Sequence, residues 1–367
     1  MSEAVTVPAW RRAVRAVAAA GRRGAAHVVG QVWRLWMRLD RRARLALLAL
    51  TVVCAAAVML RLVVGTHWIG LPTGEQAGLV MAARFKCVQL AVIVGVALSV
   101  SGVSLQALLR NHLAEPYILG LSTGAAAGVM LQRWIALEMQ WRTGPSYTGA
   151  LAGALASIAV VYAAGRRRGV IDPLGLLLTG VILSTVNGAL IMVFNYLAGS
   201  GGLKDEIARW MMGYLDQSAG GGVMLAVALV TACGLGLLLW QSRAMDVATL
   251  SDTEAEALGV HVGRLRTLLF TVAGVLAAGA VVLAGPIAFV GLVCPHIARL
   301  CVGPRHTAML PAAALLGATL LLGADTASAA IGFSADVGAM PLGIFTAILG
   351  GPVFLWMLRP HLGRGLE

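Results

Sequence analysis

Charged side chains are scarce in this chain: they make up 12% of its 367 residues, whereas hydrophobic residues make up 59%. Soluble domains average about 25% charged residues, so a soluble globular protein is excluded. Lysine is rarest, with Cys87 following Lys86 and Asp205 following Lys204. The P-loop motif GxxxxGK[ST] needs Ser or Thr directly after its lysine. The chain therefore has no P-loop nucleotide site of its own.

Other catalytic and structural signatures are missing too. The five cysteines are odd in number and lack CxxC or metal-ligand spacing, so we predict neither a disulfide framework nor a zinc site. HExxH and paired intramembrane carboxylates are also absent, which removes parts that metalloprotease or carboxylate-dependent hydrolase chemistry needs. We predict that the chain is not an enzyme, has no catalytic or metal-binding residues and holds no permanently bound cofactor.

What the sequence has instead is a series of long apolar stretches. Its 45 glycines and 14 methionines suit helices that pack closely in lipid, where small residues let backbones approach. Stretches near 20 residues cross a bilayer as helices. The sequence predicts an all-α polytopic membrane protein with about ten spans, at 45–64, 88–108, 116–135, 147–165, 173–197, 222–242, 266–284, 287–301, 308–331 and 341–359.

Positive charge is concentrated at one end of the chain. Residues 1–44 carry ten arginines against Glu3 and Asp40, which accounts for +8 of the net +12. No solvated basic face remains that could follow a nucleic-acid duplex. We predict a basic N-terminal segment at 1–44, either an interfacial helix or a disordered tail, a ten-span domain at 45–360 and a short tail at 361–367.

The distribution of arginine and lysine predicts the orientation in the membrane. An even number of spans puts both termini on one side, and that side holds 21 of the 28 basic residues. Cytoplasmic loops carry the excess of Lys and Arg. Both termini are therefore predicted to be cytoplasmic.

The loop 243–265 contains the clearest local signal. Ser251 and Glu254 have the spacing of a capping box, in which the serine hydroxyl accepts from the glutamate amide and the carboxylate reaches back. Gly259 is a plausible left-handed C-cap, and a second helix starts near Val262. A rigid helix here suits a groove on a partner protein, and a capped surface loop without a partner is the alternative.

Three stretches of the sequence resemble the permeases of type II ABC importers, which carry ferric siderophores, haem or cobalamin. The first is Leu250–Val260 followed by AGPIAFVGLVCPHIARL at 284–300. The second, Ser101-Gly102 with Gln106, RNHLAEP at 110–116 and Gly120, is similar to that family's SGxxxQxxxxNPLAEPxxLG stretch. The third, PLGI at 341–344 with GGPVF at 350–354, resembles its closing PxGxxTxxxGxPxF segment.

The resemblance implies ten spans and a homodimer with the translocation path at its interface. It also implies two separate ATPase subunits on the cytoplasmic face and a soluble binding protein on the outer face. The partner subunit would then use the ATP. The chain itself would lie in the inner membrane of a bacterium. The resemblance also implies that coupling helices at about 251–264 contact the ATPase. The expected coupling residues are Ser251, Asp252, Glu254, Ala255, Leu258, Gly259 and Val260.

Four positions depart from the family pattern. Ser251 and Asp252 replace its usual glycine and glutamate, His112 replaces proline, and Ala339 replaces a glutamate.

Related permeases also present outer arginines to glutamates of the binding protein. The resemblance assigns that docking role to Arg84 and Lys86, whereas the later docking position is Ala329.

The fifth predicted span carries Thr179, Ser184, Thr185, Asn187 and Asn195, more polar groups than a lipid-facing helix should hold. Unsatisfied polar groups buried in hydrocarbon each cost several kcal/mol. We predict that Ser184, Thr185, Asn187 and Asn195 line the translocation path and its gate. Hydrogen bonding between helices is the competing explanation.

The substrate is the least determined property. Trp210, Met211 and Met212 on an outer loop suit a porphyrin or a lid on the span ends, and charges are lacking along the path, so haem is preferred over a ferric siderophore or cobalamin. His296 invites a haem-ligand role but is expected to be a structural hydrogen-bonding residue. Asp325, an acid deep inside a span, leaves an ion-coupled secondary transporter as a different class.

Overall fold

The structure, a computed structural model, describes residues 39–65, 70–140, 146–167, 170–197, 210–335 and 340–362. A 3₁₀ helix at Pro116–Leu119 and a two-stranded hairpin, β1 Arg166–Arg167 against β2 Val170–Ile171, are its only non-α elements within those ranges. The described residues form eleven α-helices: α1 Arg41–Val63, α2 Ala77–Leu109, α3 Leu121–Glu138, α4 Tyr147–Ala164, α5 Pro173–Leu197, α6 Gly221–Val247, α7 Asp252–Ala257, α8 Val262–Ala284, α9 Val290–Val302, α10 His306–Ala335 and α11 Leu342–Leu362.

The prediction of an all-α polytopic membrane protein is confirmed. Every helix except α7 falls on one of the ten predicted spans, and seven helices in the described ranges are long and apolar enough to cross a membrane. The eighth span is the short 13-residue helix α9, which begins after Pro286 and contains Pro295. The largest difference in a boundary is in α2, which begins at Ala77 rather than 88, and the third span begins with a 3₁₀ turn before α3.

Helix α2 lies at the centre of the bundle and is buried over most of its 33 residues. It packs against α8, α9 and α10, and close approach depends on glycine. A Cβ on Gly95 would overlap the carbonyl oxygen of Gly317 in α10, and one on Gly102 would overlap that of Gly291 in α9. Small residues bring these backbones together, as expected of helices packed in lipid.

Helices α1, α5 and α6 lie at the periphery and expose apolar side chains. On α5, a stripe at helical spacing that includes Leu178, Val181, Met192 and Tyr196 is exposed in the single chain. Such a face suits lipid or a second copy of the chain.

Some predictions lie outside the described residues. They concern the basic segment up to residue 38, the tail 363–367 and Ala339. Helix α1 begins at Arg41, so the last arginines of the predicted 1–44 segment already belong to the first span.

Candidate partner-binding helix and motif junction

The first turn of α7 carries the predicted capping box. The Glu254 amide donates to Ser251 Oγ at 3.3 Å, and the Ser251 amide donates to Glu254 Oε2 at 3.0 Å. Hydrogen bonds from the Ser251 hydroxyl and from its amide lower the pKa of Glu254 below its ordinary value. Both groups stabilise the start of a helix that is too short to persist alone.

The other end of α7 is closed by Gly259, as the sequence predicts. Its φ is +82°, a conformation that favours glycine, and its amide donates to the Glu256 carbonyl at 2.9 Å. The Val260 amide donates to the Ala255 carbonyl at 3.0 Å. This pair of bonds is a Schellman motif, so α7 is capped at both ends.

Asp252 connects α7 to two long helices. Its carboxylate lies 2.6 Å from Arg110 Nη2 at the end of α2 and 3.1 Å from Arg266 Nη2 in α8. Arg110 Nε also donates to the Ala248 carbonyl at 2.8 Å, just after α6. No sequence pattern predicts this role of Arg110, because it depends on the left-handed C-cap of α2, where Arg110 has a φ of 46°.

The remaining residues of the predicted coupling set divide into an inner and an outer group. Ala255 is buried and Val260 is half-buried, so they fix α7 on the bundle. Leu258 is 63% exposed. Leu258 thus belongs to the outer surface of α7.

The three stretches that resemble the importer permeases meet in space. The Phe289 amide, at the break between α8 and α9, donates to the carboxylate of Glu115. Gln106 Nε2 donates to the Gly291 carbonyl at 3.3 Å. A Cβ on Gly350 of the closing stretch would overlap the ring of Phe289. We call this meeting point the motif junction.

The polar residues of α5 do not share one face. Asn187 is buried, and its Nδ2 lies 3.3 Å from Ser157 Oγ in α4 and 3.3 Å from Thr123 Oγ1 in α3. For Asn187 the structure therefore has the interhelical hydrogen bonds that were the competing explanation. Thr185 is exposed, with its hydroxyl bonded to the Val181 carbonyl of its own helix at 3.2 Å.

The other two path candidates are half-buried. Ser184 donates to the Gly180 carbonyl at 2.8 Å and lies beside Gly120. The side-chain oxygen of Asn195 is buried, and no hydrogen-bond partner is present among the described residues. Of the four candidates, Thr185 is the one on the exposed face of α5.

The two docking candidates at the far end of the bundle from α7 differ in exposure. Arg84 is buried, and its Nη1 donates to the carbonyls of Leu62 at 2.7 Å and Gly70 at 2.7 Å, so it closes the end of α1. Lys86 is half-buried. The later docking position, Ala329, is buried and has no charge to offer.

Three further residues stand out in the sequence. Asp325 in α10 pairs with Arg61 in α1, and both side chains are largely buried. His296 is half-buried beside Arg299 on the wall of a cavity of about 310 Å³ at the α7 end of the bundle. Met211, between α5 and α6, is exposed, as a lid or contact residue would be.

The fold and the site together define a class: a multi-span helical membrane protein with a rigid, doubly capped helix on one face. Comparison with known families then identifies the family. Residues 44–360 match the FecCD transport family, and the chain belongs to that family.

Curated relatives of this chain carry haem and cobalamin. The haemin transport system permease HmuU of Yersinia pestis is 38% identical over 75% of this chain and 81% of its own. The vitamin B12 import system permease BtuC of Klebsiella pneumoniae is 35% identical over 89% of this chain and 97% of its own. The cobalamin import system permease BtuC of Halobacterium salinarum is 38% identical over 81% and 77%.

A solved structure has the same architecture. A chain described as an inward-facing metal-chelate type ABC transporter superposes with a TM-score of 0.75, at 28% identity, over 86% of this chain and 99% of its own. The resemblance inferred from the three motifs is thus confirmed. The chain is a permease subunit in a family of ABC importers for haem, cobalamin and metal chelates, whose transport is driven by a separate ATPase.

Proposed function

We propose that this chain forms the membrane path of an ATP-driven importer for a large metal chelate, with haem as the first substrate to test. A ferric siderophore or cobalamin is the alternative cargo. The importer would contain a homodimer of this chain, two ATPase subunits and a binding protein on the outer face. The observation that carries the proposal is α7, capped at both ends and held by Asp252 against α2 and α8.

In this proposal α7 and both termini face the cytoplasm, and α7 seats in the ATPase. The exposed Leu258 would enter a partner groove, while Ser251, Glu254 and Gly259 keep the helix rigid. A rigid helix transmits a displacement, whereas a loop would absorb it. Asp252 would pass that displacement to α2 through Arg110.

Helix α2 is suited to carry such a displacement through the bundle. Arg110 lies at one end, Gln106 and Gly102 contact α9 at the motif junction, and Arg84 lies toward the other end. At about 1.5 Å per residue, its 33 residues extend about 50 Å, more than the thickness of the hydrocarbon core.

The proposed path lies at the homodimer interface, along the exposed face of α5 that carries Thr185. The scarcity of charge on this face suits a large, largely apolar cargo, and the exposed Met211 on the outer loop suits a porphyrin. Ser184, beside Gly120 at the start of α3, would belong to a gate. Asn187 would support the gate through its bonds to α3 and α4 rather than line the path.

Docking of the binding protein is proposed for Lys86 at the outer end of α2. Arg84 would support that surface by ordering the end of α1 through its bonds to backbone carbonyls.

An ion-coupled secondary transporter is less well supported. Such a transporter needs titratable groups in sequence through the membrane, and Asp325 is paired with Arg61.

Uptake by reconstituted vesicles tests the proposed function. The chain would be purified with a co-expressed P-loop ATPase and a binding protein, and uptake of haem, a ferric siderophore and cobalamin measured in parallel. We expect uptake of one chelate that requires ATP and is blocked by vanadate. Uptake driven by a proton gradient without any ATPase would overturn the proposal.

The link between Arg110 and Asp252 is tested by exchanging the charges. Arg110→Asp and Asp252→Arg should each lower the chelate transported per ATP hydrolysed by up to about fivefold, since partly exposed pairs contribute up to about 1 kcal/mol. Combining the two should restore part of the loss. The exposed pair Asp40 and Arg305 provides the control, and its exchange should leave the ratio unchanged. A double variant no better than the worse single variant would remove this link from the mechanism.

A further inference from the structure

A lateral groove runs between α4, α6 and α8, and none of its described lining residues belongs to α5. Its volume is about 700 Å³ and it opens to the side of the bundle. Arg166, just after α4, and Arg264, in the first turn of α8, lie at its α7 end. We propose that this groove binds an anionic phospholipid of the cytoplasmic leaflet. The inference rests on the proposed orientation, in which α7 faces the cytoplasm.

The groove has a charged end and an apolar wall. Leu237, Leu268 and Val272 line it beyond the two arginines. From Arg264 to Val272 the helix rises about 12 Å, at about 1.5 Å per residue. This matches a phosphate held at the membrane surface with an acyl chain directed toward the bilayer centre. Basic pockets between spanning helices on the cytoplasmic side are suited to lipid headgroups.

The threonine hydroxyls on the wall are satisfied by their own helix. Thr267 Oγ1 donates to the Gly263 carbonyl at 3.1 Å, and Thr271 Oγ1 donates to the Thr267 carbonyl at 2.9 Å. Both threonines line the groove, and neither hydroxyl needs water there. A hydrocarbon chain can therefore lie against this wall without leaving those groups unpaired.

The arginine at the mouth of the groove is oriented by an aromatic ring. The Arg166 guanidinium lies 4.9 Å from the centroid of Tyr162, and Tyr162 packs on Phe270 of α8 with centroids 5.8 Å apart. A planar guanidinium on a fixed ring is suited to phosphate oxygens. No acidic residue is among the described side chains that line the groove, so nothing on its wall repels an anion.

Lipid retention measures this site without any transport assay. The full-length permease would be purified from vesicles of mixed phosphatidylcholine and phosphatidylglycerol, and the retained lipid measured by native mass spectrometry. We expect preferential retention of phosphatidylglycerol. Each basic residue near the surface contributes about 1 kcal/mol, or about fivefold, so Arg166→Gln with Arg264→Gln should lower the preference about 30-fold.

Two further variants distinguish lipid binding in the groove from lipid binding to a charged surface. A Cβ on Gly263 has no atom within 4 Å, so Gly263→Leu adds bulk to the groove from an open position and keeps both arginines. It should also lower phosphatidylglycerol retention. Arg243→Gln, at the same end of the bundle but outside the groove, is the matched control and should retain lipid like the unmodified chain.

Three outcomes would overturn the inference. They are unchanged retention in the double arginine variant, unchanged retention in Gly263→Leu, and retention of inorganic phosphate equal to that of phosphatidylglycerol. If the unmodified chain shows no preferential retention of phosphatidylglycerol but intact ATP-driven uptake, this site is removed and the proposed function stands. If the unmodified chain retains phosphatidylglycerol preferentially but shows no ATP-driven uptake, the proposed function is removed and this site stands.

Discussion

Replacement of Gly259 by proline is expected to abolish ATP-driven uptake while leaving the membrane bundle folded. Gly259 has a φ of +82°, and the proline ring holds φ near −65°. The same change removes the amide that donates to the Glu256 carbonyl at 2.9 Å. Proline costs about 3 kcal/mol or more inside a helix, and a similar cost at this left-handed cap would lower the ratio of native to non-native α7 about 100-fold, and uptake by up to a similar factor.

The readout for Gly259→Pro is uptake together with assembly. Uptake would be measured in vesicles containing the ATPase, and the thermal midpoint of the detergent-solubilised permease would report on the bundle. Gly259→Asn is the matched control, because asparagine tolerates left-handed backbone and keeps its amide, so it should retain most uptake. Normal coupled uptake in the proline variant would exclude α7 from the coupling mechanism.

Replacement of Gly102 by alanine is expected to have the largest effect on the stability of the bundle. The added Cβ would overlap the Gly291 carbonyl oxygen and lie 2.6 Å from its carbonyl carbon. Both are backbone atoms of α9, so no flexible side chain can move aside. Overpacking costs about 1–3 kcal/mol, and we expect about 3 kcal/mol here because two helices must separate.

A glycine on the same helix gives the control for Gly102→Ala. Gly78, near the outer end of α2, is exposed, and a Cβ added there would have no atom within 4 Å. Gly78→Ala should stabilise α2 by up to about 1 kcal/mol, since glycine is a poor helix former. The thermal midpoint in detergent should therefore fall for Gly102→Ala and hold or rise for Gly78→Ala. Equal midpoints would show that the contact between Gly102 in α2 and Gly291 in α9 does not limit the stability of the bundle.

The two changes affect opposite ends of one proposed route. Gly259 controls the shape of α7, and Asp252 joins α7 to Arg110 at the end of α2. Gly102 lies about two turns further along α2, where that helix meets α9. A displacement that enters at Asp252 would reach the motif junction through this single helix. Intermediate effects on coupling are expected for changes between these two points.

Local features of this chain were predictable because their causes are local. The capping box of Ser251 and Glu254 and the turn at Gly259 depend on residues within one or two helical turns. The spans depend on runs of apolar residues long enough to cross a bilayer. The start of α2 was misplaced because Arg84 and Lys86 interrupt its apolar pattern, and in the folded chain Arg84 is paired with backbone carbonyls.

Features that join distant residues could not be predicted in the same way. Helical periodicity predicts that Asn187 shares one broad face with Ser184 and Asn195. Periodicity alone does not show which residues of other helices contact that face. Contacts with Ser157 in α4 and Thr123 in α3 turn Asn187 into a buried interhelical group. The pairing of Arg61 with Asp325 likewise spans 264 positions of sequence.

The sequence by itself determined the class of protein, its helical spans, the absence of a P-loop site and the capped helix α7. These features depend on composition, on the length of apolar runs and on hydrogen bonds between residues close in sequence. Only the tertiary structure decided which polar groups are satisfied internally and which surfaces remain open. It joined Asp252 to Arg110, brought Glu115 to Phe289 and opened the groove beside Arg264. Each of these depends on side chains from separate helices, whose relative placement follows from the packing of the whole bundle.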